Sequence, residues 1–149
     1  MSSDQITVER TIKAPPEQIF ALVADAAKHS EIDGSGTVKG TRQESRPLKL
    51  GTRFGMEMHL GVGYKTSNEV IEFEQDRRIA WKTTGAKGLI GGRIWRYELE
   101  PVDGGTLVKE TWDVSQDKQK FFLKRSRMAP AAKNGMRKTL ERIADTLEA

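Results

Sequence analysis

The sequence contains no cysteine, which excludes disulfide bonds, a thiolate nucleophile and a zinc–thiolate site. It has only two histidines, His29 and His59, whose spacing argues against a metal site, and we expect no metal or other cofactor. No stretch approaches the ~20 apolar residues of a membrane span, and the first residues lack a charged segment followed by an apolar one. We therefore expect a cytoplasmic protein with no stable membrane insertion.

Charged residues are plentiful, with 25 Lys+Arg against 21 Asp+Glu and a net charge of +4. Most basic residues alternate with acidic ones, as on a solvated surface. The exception is a basic stripe near the C-terminus, formed by Lys118, Lys120, Lys124, Arg125, Arg127, Lys133, Arg137 and Lys138. We interpret the stripe as a solvated helix face, and contact with an anionic ligand, a membrane surface or RNA is the alternative. No RNA-recognition motif accompanies it, so we expect no nucleic-acid partner.

The length of 149 residues fits one domain, residues 1–149, which buries roughly two-thirds of its unfolded surface. Period-two alternation predicts a first strand over residues 5–13. Ala14-Pro15-Pro16-Glu17 ends it and begins a short helix, because proline suits a first helical turn. A second short helix is predicted over residues 25–32, followed by a loop at 33–36.

The following part of the chain is predicted to be mainly β-structure. Six strands are expected near residues 38–43, 52–60, 64–74, 78–84, 93–101 and 106–115. Asp103-Gly104-Gly105 indicates a tight hairpin turn, and residues 85–92 a mobile flap.

Residues 116–149 are predicted to form one long helix with a buried stripe at Met136, Leu140, Ile143 and Leu147. Pro130 should kink this helix or split off its first turns. The expected class is α+β: a curved antiparallel sheet of about seven strands, wrapped on the long C-terminal helix, with two short helices after the first strand.

Several short motifs occur in this order of elements: Ala14-Pro15-Pro16, Gly51-Thr52-Arg53-Phe54, Arg78-Ile79-Ala80-Trp81, Trp95 to Pro101, and Asp103-Gly104-Gly105-Thr106 leading to Glu110-Thr111-Trp112. Together they resemble the START-like helix-grip superfamily (SRPBCC), and within it the polyketide cyclase/dehydrase and lipid-transport group. The resemblance covers almost the whole chain, but its motifs are mainly turns and core positions. It implies a cavity between the sheet and the C-terminal helix for a hydrophobic or amphipathic molecule, such as a lipid, polyketide, sterol or quinone.

Strand alternation and the apolar positions of the helix give a set of candidate ligand-binding residues. The alternative is that these residues line no cavity and simply fill a solid core. The candidates are Phe54, Met56, Met58, Trp81, Arg93, Trp95, Tyr97, Glu110, Trp112, Phe122 and Met128. His29, Glu31 and Asp33 either gather at the cavity mouth or form a solvated cluster or a helix–loop fastening.

Glu110 is the candidate catalytic residue, because it shares a strand face with Val108 and Trp112. A carboxyl that enters the cavity with them is either protonated or paired with a cation, for which Arg93 is the nearest candidate. Such a group acts as a general acid or base, orients a ligand hydroxyl, or forms a structural pair.

These observations leave three functions open. The first is binding or carriage of a hydrophobic or amphipathic small molecule. The second is a polyketide cyclase, aromatase or dehydratase that uses the cavity carboxylate. The third is a protein-interaction domain, as in co-chaperone or ribosome-associated relatives of the fold.

Overall fold

The computed structural model describes residues 4–34, 38–40, 47–60, 62–85 and 90–148, with the backbone alone for 26, 30, 38–40, 56–60 and 62–64. The strands among these residues are β1 (Gln5–Ile12), β2 (Val38–Gly40), β3 (Arg53–Leu60), β4 (Val62–Glu74), β5 (Arg78–Gly85), β6 (Ile90–Val102) and β7 (Gly105–Asp113). The helices are α1 (Pro16–Val23), α2 (His29–Ile32), α3 (Lys120–Arg125) and α4 (Met128–Glu148), with a 3-10 turn at Ala26–Lys28.

The strands form one antiparallel sheet in the order β1-β7-β6-β5-β4-β3-β2. The chain therefore runs as a meander from β2 to β7, and β1 closes the edge beside β7. The predicted hairpin turn at Asp103-Gly104-Gly105 is present, but Gly105 already pairs with Val102, so the turn itself consists of Asp103 and Gly104. The predicted α+β helix-grip fold is confirmed.

Helix α4 packs on β1 and β7 and closes one face of the sheet. Its buried residues include Met136, Leu140 and Ile143, as the helical spacing predicts. They join Val8 and Ile12 of β1 in the core. Because α1 and α2 also pack against α4, the three helices together cover the inner face of the sheet.

The predicted long C-terminal helix is confirmed as α4, but it does not extend over residues 116–127: the first turns are split off as α3, and the break lies at Ser126 and Arg127 instead of at Pro130. The Ser126 hydroxyl donates a hydrogen bond to the Leu123 carbonyl (3.1 Å) and accepts one from the Met128 amide (3.1 Å). Ser126 thus ends one helix and begins the next. Pro130 lies in the first turn of α4, where its missing N–H leaves no bond unmade, so it does not cause the break.

The predicted flap at residues 85–92 is wrong at both ends, since Gly85 belongs to β5 and β6 begins at Ile90. Gly91 and Gly92 adopt φ of 93° and 109° beside a register shift between Thr83 and Thr84. A Cβ on Gly92 would lie 2.6 Å from the Gln116 carbonyl oxygen. These glycines therefore serve a bulged strand start under close backbone contact. Residues 86–89 lie outside those described.

Candidate functional site

An aromatic cluster lies on the inner face of the sheet, beneath α2. Trp81 of β5 has its ring centroid 5.8 Å from those of Phe54 and Tyr97. The His29 ring stacks on Trp81 at 4.9 Å and meets Phe54 edge-on at 5.7 Å. All four side chains are buried, so the cluster forms a continuous aromatic wall. This wall lines the interior between the sheet and the helices α1, α2 and α4, which we call the grip.

His29 is a structural member of this cluster. Its Nε2 donates a hydrogen bond to the Val23 carbonyl (2.9 Å), which ties α2 to the end of α1. Burial, the largest effect, lowers the pKa of His29 and keeps its ring neutral near pH 7, although the Val23 contact opposes that shift. The interpretation of His29 as solvated is wrong, and its contacts are those of a helix fastening.

Glu110 lies in the middle of the grip. It is directly opposite Tyr97 of β6 on one side and Val8 of β1 on the other. Only 4% of Glu110 is exposed, and its Oε1 has no hydrogen-bond partner among the residues that the structure describes. An unpartnered buried polar atom is rare in folded proteins and calls for an explanation.

Burial raises the pKa of Glu110 to about 8, because a carboxylate in an apolar interior loses its hydration. Hydrogen bonding with the Tyr97 side chain opposes this shift, and the charge of Asp33 adds to it. Burial also raises the pKa of Tyr97 well above its usual range. At pH 7 Glu110, Tyr97 and His29 are therefore predominantly uncharged, and the Glu110 carboxyl offers one hydrogen-bond donor and one acceptor.

The sequence suggested that Arg93 pairs with Glu110, and this is wrong, because Arg93 pairs with Asp117. The Arg93 Nε donates to Oδ2 of Asp117 at 3.2 Å, and the Asp117 side chain has no exposed surface. The other Asp117 oxygen accepts the Gln119 backbone N–H at 2.8 Å. Strand register explains the difference, since Glu110 is opposite Tyr97, four residues beyond Arg93 on β6.

Sequence reasoning missed a polar pair beside the aromatic wall. The Thr83 hydroxyl donates to Oδ1 of Asn68 at 2.7 Å, and Nδ2 of Asn68 donates to the Phe54 carbonyl at 3.2 Å. Asn68 is buried and directly opposite Phe54. The alternation of β4 could have placed Asn68 inward, but the polar residue type gave no signal for it.

The predicted ligand-binding residues divide into those inside the grip and those outside it. Phe54, Trp81, Tyr97, Glu110 and Trp112 are buried, whereas Trp95 is half-buried against the core. For Met56 and Met58, as for His59, the side chains lie outside those described.

Phe122 and Met128 were predicted inside the cavity, and this is wrong because they are 68% and 38% exposed. Leu123 instead is the buried residue of α3. The break at Ser126 sets the direction of α3 independently of α4, so the apolar stripe of α4 does not continue into it.

Two surface grooves accompany the described part of the chain. One, of about 460 Å³, crosses the outer side of the sheet between Arg78, Glu98 and Lys109. The other, of about 320 Å³, lies beside α1 between Phe20 and Leu48. Within the described ranges no group of acidic and histidine side chains could hold a metal ion, and no helix is long and apolar enough to cross a membrane.

The family model described as polyketide cyclase/dehydrase and lipid transport matches residues 3–148. An uncharacterised protein of Mycobacterium tuberculosis is 33% identical over 140 residues, which are 90% of this chain and 60% of that protein. The chain thus spans only 60% of the length of that relative.

Solved structures agree with the fold. A protein of Nitrosomonas europaea has a TM-score of 0.76 at 13% identity, with 99% of this chain and 97% of that chain covered. A polyketide-cyclase-like protein of Corynebacterium glutamicum has a TM-score of 0.61 at 25% identity, with 99% and 93% covered.

Proposed function

Because this chain belongs to the polyketide cyclase/dehydrase and lipid transport family, we propose that it binds and carries a hydrophobic or amphipathic small molecule between the sheet and α4. The observation that carries the proposal is the buried Oε1 of Glu110, which lies among apolar and aromatic side chains and has no hydrogen-bond partner in the described part of the chain. A ligand that supplies the missing hydrogen bond explains why this polar atom lies there.

The protonation state of the site restricts the ligand. A neutral carboxyl donates one hydrogen bond and accepts others, so it complements a hydroxyl or a carbonyl oxygen. Asp33 contributes negative charge near Glu110 and Tyr97, which disfavours an anionic group at this position. The ligand end that reaches Glu110 is therefore an uncharged oxygen function.

The aromatic wall restricts the rest of the ligand. Trp81, Tyr97 and Phe54 present ring faces and edges, which pack well against flat or polycyclic apolar molecules. A quinone, an aromatic polyketide or a sterol-like alcohol combines such a body with one uncharged oxygen function.

The first experiment is native mass spectrometry of the protein purified without detergent, followed by identification of any released molecule and a thermal-shift panel of such ligands. Glu110→Leu should weaken the best ligand by about fivefold to a hundredfold, because a buried hydrogen bond is lost at nearly unchanged side-chain volume. Glu98→Leu is the control, since Glu98 lies on the same sheet but pairs with Arg78 at the surface. Equal affinity in Glu110→Leu and the unaltered protein would contradict the proposal.

The pKa of Glu110 favours a second candidate, a cyclase, aromatase or dehydratase. A carboxyl that titrates at about 8 donates and accepts a proton near neutral pH, as a general acid or base must. For this function, Glu110→Gln should abolish turnover of a poly-ketone substrate while binding persists. Turnover that survives Glu110→Gln would exclude Glu110 as the catalytic group.

A further inference from the structure

An apolar surface at α3 and the start of α4 faces solvent. Phe121 and Phe122 are 67% and 68% exposed, and Met128 is 38% exposed. Leu123, the next residue of α3, is 2% exposed and anchors the helix to the core, so the two phenylalanines point away from it. We call Phe121, Phe122 and Met128 the aromatic tip. Contiguous exposed aromatics of this kind mark an interaction surface.

The start of α3 is fixed to the sheet, so the aromatic tip has a defined place. Gly91 of β6 accepts a hydrogen bond from the Lys118 amide (2.9 Å), and its own amide donates to the Gln119 side chain (2.9 Å). Ile90, which precedes Gly91 and is the first residue of β6, is 51% exposed. The apolar surface of α3 therefore lies at the same end of the molecule as the exposed start of β6.

The aromatic tip belongs to the most basic part of the chain. Residues 118–138 contain eight of the 25 Lys+Arg residues and no Asp or Glu, which leaves 17 Lys+Arg against 21 Asp+Glu elsewhere. The whole positive excess of the protein is thus concentrated here. Single-sign charge beside exposed phenylalanines is typical of proteins that lie on anionic membrane surfaces.

Two arginines add positive charge at the tip. Arg125 follows Phe121 by four residues and Phe122 by three, so it lies on the same side of α3 as both rings. Arg125 and Arg127 are exposed, and no acidic side chain of the described residues forms an ion pair with them. Lys124, by contrast, is held by Asp4 at 2.8 Å.

We propose that the aromatic tip docks on an anionic lipid surface, with Phe121 and Phe122 among the acyl chains and Arg125 and Arg127 at the phosphates. RNA is less suited to this surface, because Lys120 Nζ lies 5.3 Å from the centroid of the Phe121 ring and occupies a face on which a base would stack. The exposed basic residues Lys133, Arg137 and Lys138 extend the charge by about 15 Å along α4, which suits an extended negative surface.

Sedimentation with lipid vesicles tests the docking. The protein should bind phosphatidylcholine vesicles that contain phosphatidylglycerol, bind phosphatidylcholine alone far more weakly, and be released by salt. Arg125→Gln with Arg127→Gln should lower the affinity about twenty-fivefold, since each basic residue at an anionic surface contributes about fivefold. Phe121→Ser with Phe122→Ser should lower it at least about tenfold, because two apolar rings are lost from the interface.

The control variant is Arg10→Gln with Arg77→Gln, which removes two exposed arginines at the other end of the sheet. Both arginines lie at the height of Leu99 on β6. Arg10 is opposite Val108, which is itself opposite Leu99, and the Arg77 carbonyl accepts a hydrogen bond from the Leu99 amide. Leu99 is nine residues, about 30 Å, along β6 from Ile90. This variant should bind vesicles within about twofold of the unaltered protein, apart from long-range attraction.

Three outcomes would overturn the proposal: equal binding to both vesicle types, unchanged binding when both phenylalanines are replaced, or binding to single-stranded RNA or an acidic peptide without binding to vesicles. The vesicle assay requires no small molecule in the grip. Its failure and the failure of the proposed carriage are therefore separate results.

Discussion

Replacing Glu110 by glutamine should make the protein more stable at neutral pH. The carboxyl is protonated in the folded protein up to a pKa of about 8 and ionised in the unfolded chain above about 4.5. Folding at pH 7 therefore requires the uptake of close to one proton, and protonating the carboxyl at this pH costs about 3 kcal/mol. Glutamine keeps the shape and the hydrogen-bonding groups of the neutral carboxyl and has no such penalty, so Glu110→Gln should gain up to about 3 kcal/mol.

The sign and the pH window follow from the direction of the shift. A carboxyl whose folded pKa is raised contributes stability below its unfolded pKa and loses it as the pH rises towards the folded pKa. His29 is buried in its neutral form, so its contribution makes the free energy of unfolding rise with pH, but only below the ordinary histidine pKa of 6.5. Between pH 6.5 and 8, Glu110 is the only shifted group of the described residues that changes its protonation, and the unaltered protein should lose about 1.5 kcal/mol of stability there.

Urea unfolding of both proteins at several pH values from 6.5 to 8.5 measures this difference. The free energy of unfolding should fall with pH in the unaltered protein and stay level in Glu110→Gln. Glu98→Gln is the control, because Glu98 is partly exposed beside Arg78 and should leave the slope intact. Parallel curves for the unaltered protein and Glu110→Gln would refute the claim that Glu110 is buried and protonated.

Two further changes test the groups around the grip. Arg93→Met leaves the buried Asp117 carboxylate without its cation and should lower the free energy of unfolding by about 3–5 kcal/mol. The control Arg53→Met removes an arginine from an exposed ion pair and should change the free energy of unfolding by less than about 1 kcal/mol. Equal losses in the two variants would contradict the buried pair of Arg93 and Asp117. Thr106→Val removes a buried hydroxyl that donates to the Ala14 carbonyl at 2.7 Å and should lower the free energy of unfolding by about 1–3 kcal/mol, and a smaller loss in urea unfolding would count against that bond.

The sequence predicts the inner face of the sheet well because side-chain direction in a strand has a strict period of two. Alternation alone places Tyr97 and Leu99 inward on β6, and Val108, Glu110 and Trp112 inward on β7, and all five are buried. The burial of the carboxyl was thus predictable from its neighbours on the strand. Its binding role stays a prediction.

Features that depend on contacts between distant segments were not predictable in the same way. The partner of Arg93 is Asp117, which belongs to the connection after β7 and reaches Arg93 only once that connection folds back on β6. The break before α4 depends on two hydrogen bonds of one serine, Ser126, which no helical periodicity records. Phe122 therefore follows the direction of α3 and not the stripe of α4.

The unfavourable burial of Glu110 helps to separate carriage from catalysis. Glutamine offers the same shape, with a donor and an acceptor, so hydrogen bonding to a ligand does not by itself require the pKa of about 8. Proton transfer does require it, because an amide has no proton to exchange near neutral pH. A Glu110→Gln variant that is more stable and binds the ligand as tightly as the unaltered protein would therefore leave proton transfer as the property for which the carboxyl is needed. Weaker binding in Glu110→Gln would instead indicate that the ligand is recognised through the O–H group of the carboxyl, a role that explains the carboxyl without proton transfer.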